Sequence, residues 1–234
     1  NRDVLTNTTT PIQDFDRTVK SVILEAKTKF MENKLQFVYG GRIDDYSDFG
    51  RQTTPRFGVV YLPNEKSSFK ILYGEAFRAS VAAEIKGIPN VKGNADLSPE
   101  VIETLELVYM YQSDNWKFNA TYFESEWSNG IVVAPIVDPD FNAGYLNVGE
   151  NEASGFELTL QGSKDEWYWD LNGTYVSSHS VVGGNEIDYV AFPKYAFNAI
   201  VGYQFLDQKL DFYVTGRLLT DLHANPISLN VPMP

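Results

Sequence analysis

His179 and His223 are the only two histidines in this 234-residue sequence, and imidazole is the one side chain that ordinarily changes charge near neutral pH. Paired with a carboxylate such as Asp44 or Asp45, His179 would form the acid and imidazole set that activates water for hydrolysis. The run Asp138-Pro139-Asp140-Phe141-Asn142-Ala143-Gly144 opens like a calcium loop. Its glycine comes one position late, however, and the glutamate that should chelate through both oxygens is displaced to Glu150. It reads as ordinary loop acid. A third group has binding rather than reaction chemistry. Tyr46, Arg51, Arg78, Trp127 and Tyr145, with Phe49, Phe77 and Tyr189 nearby, supply rings and guanidinium groups suited to stacking on an aromatic or chelated small molecule. These residues point to ligand contacts, with no catalytic set, no metal site and no cofactor.

The elements that must position these residues are strands. Val22, Leu24, Ala26, Thr28 and Phe30 alternate with Ile23, Glu25, Lys27 and Lys29, and Leu35, Phe37, Tyr39 and Ile43 alternate with Gln36, Val38, Gly40 and Arg42. This is the period of a sheet with two unlike faces. It recurs near residues 57–62, 69–75, 103–111, 116–126, 155–161, 167–176, 195–205 and 210–218, giving about ten strands. The expected connections alternate in length. Residues 31–34, 63–67, 112–115, 163–166 and 206–209 read as tight turns, and 44–56, 78–101, 128–152 and 178–193 as long loops.

Short turns at one end and long loops at the other are the pattern of an outer-membrane barrel, with the loops outside the cell. Tyr61, Phe69, Tyr111, Trp116, Trp167, Trp169, Tyr203 and Phe205 flank the short turns, where an interfacial girdle belongs. The expected lipid-facing set is Val22, Leu24, Phe37, Tyr39, Leu105, Leu107, Tyr109, Phe156, Leu158 and Leu160. Composition narrows the remaining classes. Cysteine is absent, which excludes disulfides and thiolate chemistry. A formal charge of −12 argues against a nucleic-acid partner, because phosphate neutralisation needs clustered Lys and Arg. Loop parity places both chain ends on the long-loop side, and Asn225 to Pro234 does not read as a closing strand. The expectation is a piece of a longer polypeptide.

A resemblance adds a family. Gly41-Arg42-Ile43-Asp44-Asp45-Tyr46-Ser47-Asp48-Phe49-Gly50 followed by Pro55-Arg56-Phe57-Gly58-Val59-Val60-Tyr61 is similar to a strand, loop and strand of TonB-dependent receptors. Tyr73-Gly74-Glu75-Ala76-Phe77-Arg78-Ala79 resembles that family's Tyr-Gly…Phe-Arg-Ala segment, with Ser80 where proline is usual, and the resemblance gives Phe77-Arg78 a structural alternative to ligand contact, anchoring a loop. Gly93-Asn94-Ala95-Asp96-Leu97-Ser98-Pro99-Glu100 and Glu106-Leu107 resemble its Gly-Asn-x-x-Leu-x-Pro-Glu element, and Gly155-Phe156-Glu157-Leu158 and Pro193-Lys194 are later landmarks in the right order. The resemblance implies an all-β, antiparallel transmembrane β-barrel, of which residues 1–234 are about ten strands out of about 22. The plug domain and terminal strands would lie outside this sequence. It further implies active uptake of a scarce nutrient, foremost an iron-siderophore complex, otherwise haem, cobalamin or a sugar. TonB would act through the missing plug, and outer-membrane lipid and lipopolysaccharide would surround the barrel. The alternatives from other classes are an omptin-like surface protease using His179 with Asp44 or Asp45, and a passive structural or adhesive outer-membrane β protein.

Overall fold

The computed structural model describes residues 15–187, 193–207 and 209–220, so His223, Tyr189 and the tail from Asn225 lie outside the described residues. Ten long strands follow one another in a single antiparallel sheet. They are β1 (Val19–Phe30), β2 (Leu35–Tyr46), β3 (Gly50–Tyr61), β4 (Ser67–Arg78), β7 (Glu100–Gln112), β8 (Trp116–Pro135), β9 (Ala143–Lys164), β10 (Trp167–Val182), β12 (Tyr195–Phe205) and β13 (Leu210–Thr220). Between β4 and β7 the chain makes a short helix α1 (Ala82–Lys86) and two short strands, β5 (Gly87–Ile88) and β6 (Val91–Lys92). A further short strand, β11 (Asn185–Ile187), folds back on β10. Among the described residues no helix is long and apolar enough to cross a membrane.

The pairing register turns the sequence alternation into two continuous faces. Directly opposed residues share a face, and one row runs Phe37, Val59, Ile71, Leu107, Tyr122, Phe156, Tyr175, Tyr195 across eight strands. The row below it runs Leu35, Tyr61, Phe69, Tyr109, Ala120, Leu158, Gly173, Phe197, Leu218. All ten residues expected to face lipid fall on this side. Glu25, Lys27, Lys29, Arg42, Lys70, Glu106, Lys117, Asp170 and Asn172 fall on the other, where Asn172 donates to Asp170 at 2.6 Å and Gln161 to the same carboxylate at 2.8 Å.

Water is the wrong solvent for the apolar face. Leu24 is 70% exposed and Phe212 62%, while Leu97 and Ile131 are the only buried hydrophobic side chains among the described residues. A soluble sheet would cover such a face with a second layer. Rings instead pair with one another along it, Trp167 edge-to-face with Tyr203 and Phe69 tilted against Tyr109, at centroid distances of 5.0 and 4.8 Å.

Two of the expected long loops are mostly strand. Residues 44–56 pair across β2 and β3 from Tyr46–Gly50 downward, leaving a three-residue turn, Ser47–Phe49. Their polar composition suggested a loop, but backbone pairing beyond a membrane does not require apolar side chains. Pro55 is tolerated because the β3–β4 register stops at Arg56–Gly74, so Pro55 stands on a local edge. Residues 128–152 likewise continue the β8–β9 hairpin to Pro135 and Ala143, with a register shift around Gly130. Residues 79–99 remain a long connection, and it is folded.

Candidate ligand-binding rim

The long-loop end of the sheet carries a built rim centred on Arg78. Register places Arg78 opposite Glu100 across β4 and β7, and its guanidinium donates to that carboxylate. The same fork reaches Glu84 in α1 with two bonds, at 2.9 and 3.1 Å. Glu84 in turn accepts the Val81 backbone N–H at 2.8 Å, capping the helix. Glu100 also accepts the Ile131 N–H at 2.8 Å from the β8 extension. Burial alone would raise the Glu100 carboxyl, but Arg78, the Ile131 amide and the Trp127 indole outweigh it and hold the group below the ordinary glutamate range. The two carboxylates hold Arg78 above its usual range.

Loop 79–99 docks on the β8–β9 hairpin through polar groups. The Asn94 amide donates to the Tyr145 carbonyl at 3.1 Å, and Asn147 exchanges bonds with the Ser98 backbone at 2.8 and 2.9 Å. Leu97 plugs the interior of this contact at 4% exposure. Trp127 lies flat over Gly130, where an added Cβ would meet its ring at 2.1 Å. Burial first, then the Glu84 charge, raises the Tyr145 phenol. Thus Arg78, Trp127 and Tyr145, read from sequence as separate ligand contacts, belong to one assembly.

Tyr46 joins a neighbouring cluster. It stacks on Phe49 at 4.3 Å and meets Phe77 edge-on at 5.7 Å. Arg17, just before β1, sits 5.2 Å from the Phe49 ring centre and 4.8 Å from that of Phe15, pairs with Asp48 at 2.6 Å and donates to the Ser80 carbonyl at 2.8 Å. Phe77 to Ser80 therefore links this cluster to the Arg78 assembly. Arg51 is not brought in. Its register partner is Asp45, and alternation puts it on the face opposite Tyr46.

No periodic signal marks Arg17 or Asn147. Glu84 closes on the Val81 N–H without the Ser or Thr that marks a capping box, so it carried no such signal either.

The hydrolytic set is not assembled. His179 lies on β10 opposite Glu152, whereas Asp44 and Asp45 lie on β2. Five strands stand between them, roughly 29 Å along the sheet at about 4.8 Å per strand. Asp44 is wholly buried and occupied by Arg42 and Ser21. The calcium-like run is a hairpin tip: Asp138 pairs with Lys92 and accepts the Asp140 N–H at 3.0 Å, and Glu150 stands in β9 opposite Val181. The bond from Lys92, then that from the Asp140 amide, keeps the Asp138 carboxyl below its ordinary value.

Two unlike faces, short turns at one end and a built rim at the other coincide with a match over residues 1–227 to the family described as TonB dependent receptor-like, beta-barrel. The chain belongs to this family. Its members are receptors rather than enzymes, and the site is the outer membrane. The iron-regulated outer membrane virulence protein of Vibrio cholerae is 25% identical over 199 residues, which are 76% of this chain and 30% of that protein. The probable TonB-dependent siderophore receptor PirA of Acinetobacter baumannii is 25% identical over 226 residues, covering 81% of this chain and 30% of its own length. The solved siderophore receptor PirA from Pseudomonas aeruginosa superimposes with a TM-score of 0.69 at 21% identity, over 86% of this chain and 37% of that one. The chain spans about a third of the length of these proteins. As a TonB-dependent receptor barrel, it turns the apolar face to lipid and the polar face to the lumen, and the rim faces outside the cell.

Proposed function

We propose that this chain is the wall section of an outer-membrane receptor that takes up an iron-siderophore complex, energised by TonB. Residues 1–234 form part of one β-barrel domain of about 22 strands, crossing the membrane many times. The observation that carries the reading is the length of the alignment with proteins named as a probable siderophore receptor and an iron-regulated outer membrane virulence protein, covering three quarters of this chain or more. The rim supports it with a preorganised outer surface. Tyr46 and Tyr145 offer aromatic faces to a chelate, while Arg78 and Trp127 hold the surface in shape; Arg51, on the face opposite Tyr46, takes no part in it. Haem, cobalamin and sugars are the competing cargoes.

The test uses the organism that carries the intact gene. Deleting the gene is expected to abolish growth on one ferric siderophore as sole iron source, with uptake of that radiolabelled chelate lost in parallel. A Tyr46→Ala, Tyr145→Ala double variant that still reaches the membrane is expected to bind the chelate at least tenfold more weakly. Unchanged growth and uptake with every ferric chelate tried would sink the proposal.

A further inference from the structure

The lipid-facing wall is not uniformly convex. Phe156, Leu158, Tyr175, Tyr195, Phe197 and Leu218 enclose an apolar groove of about 250 Å³ whose floor is Gly173. Register explains the depression. Gly173 lies between Leu158 and Phe197 in one row, and the row above it is Phe156, Tyr175 and Tyr195. A residue without a side chain is thus ringed by large ones. The volume would take about eight waters at about 30 Å³ each, yet the walls supply almost nothing to hydrogen-bond them, and the membrane core supplies no water. Hydrocarbon is what fits.

Depth gives the groove an outer end. On β10 and on β12 eight residues separate the ring near the short turns from the ring near the long loops, Trp167 from Tyr175 and Tyr203 from Tyr195. At about 3.4 Å per residue and a tilt near 40°, that is roughly 20 Å along the membrane normal. Tyr175 and Tyr195, 5.0 Å apart, therefore mark the outer interface. Just beyond them stands Lys194, exposed, with its ammonium 5.9 Å from the Tyr175 ring centre. The nearest carboxylates on this face are Glu124, one pair farther out but two strands from β10, and Glu152, opposite His179 two pairs farther out.

We propose that this groove is a specific site for one phosphate-bearing lipid of the outer leaflet. An acyl chain lies over Gly173 and the phosphate meets Lys194 beside the Tyr175–Tyr195 pair. The site rests on the barrel's place in the membrane and is independent of the cargo. A single cation at the interface favours an anionic headgroup by roughly fivefold, and the groove adds selection for a chain seated against the wall rather than in bulk lipid.

The full-length receptor in detergent, folded by the criterion of heat-dependent gel mobility, is titrated with lipid A and followed by native mass spectrometry. One lipid A is expected to be retained by the parent protein. Gly173→Leu fills the groove; only Phe197, at 3.8 Å, lies near the new Cβ, so the barrel should fold. Gly216→Leu places the same side chain on the same face outside the groove, with nothing within 4 Å of its Cβ, and serves as the control. The expected result is loss of the retained lipid in Gly173→Leu, retention in Gly216→Leu, and roughly fivefold weaker retention in Lys194→Gln, with phosphatidylcholine binding unaffected by the last change. No retained lipid in the parent, equal losses in the two leucine variants, or full retention in Gly173→Leu or Lys194→Gln would each overturn the proposal.

Discussion

Replacing Arg78 by methionine keeps the stem and removes the charge from the knot that fixes loop 79–99. Two carboxylates are then left facing each other, Glu84 and Glu100, whose side chains are 12% and 10% exposed. Removing one partner of a fully buried pair costs about 3–5 kcal/mol, and an exposed pair contributes about 0–1 kcal/mol. Arg78 is itself 44% exposed, so the change should cost about 2 kcal/mol, between those limits. At about 1.4 kcal/mol per factor of ten, the docked loop should open roughly thirtyfold more often. Hydrogen exchange at the Ile131 and Asn94 amides reads this directly, because Ile131 donates to Glu100 and Asn94 to the Glu84 carbonyl. The pH dependence gives a second, independent reading. In the parent, the Glu100 carboxyl lies below its ordinary value of 4.5, so its contribution is complete above that pH and fades as pH falls through the lowered value. In Arg78→Met the like charges are relieved by a proton, so acidification should restore protection instead of removing it. Equal exchange in both proteins at neutral pH, or loss of protection by both on acidification, would refute the account of the knot.

Adjacent residues on β8 should respond oppositely to the same change. Ala120 sits in the lipid-facing row between Tyr109 and Leu158, and Thr121 lies on the lumen face between Val108 and Glu157. Ala120→Arg is expected to cost about 2–4 kcal/mol of folding into vesicles and Thr121→Arg almost nothing, as read by urea titration of the full receptor; a reversed order would invert the face assignment. Gly130→Val drives a side chain into the Trp127 ring and should cost about 1–3 kcal/mol locally, seen as faster tryptic cleavage after Lys92 with the barrel intact. Arg17→Ala removes a cation shared by Phe15, Tyr46 and Phe49 together with the Asp48 pair. The Ser47–Phe49 turn should then exchange its amides about fivefold faster, the equivalent of about 1 kcal/mol, and unchanged exchange would mean that the cluster holds without its cation.

The strands were legible in the amino-acid order because the two sides of the sheet meet different solvents. Lipid selects Leu107 and Tyr109 while the lumen accepts Glu106 and Val108, and such alternation persists only where both solvents are present. Beyond the outer interface that selection ends, and Asp44 to Thr54 and Ile131 to Asn147 pair as strands without the pattern that would announce them. The rim shows the same limit from the other side. Arg78 and Glu100 both stand in segments recognisable by resemblance, yet an arginine 22 residues from a glutamate carries no mark of partnership; its type suggested a ligand contact and its motif a loop anchor, and neither named what it would hold. What pairs them is the β4–β7 register, set by rows of apolar side chains far below the rim, Phe69 with Tyr109 and Ile71 with Leu107. A one-residue slip in those rows would turn Arg78 away from Glu100. The outer surface that would meet a ligand is thus fixed by the face that meets lipid, and a change at either should be felt at the other.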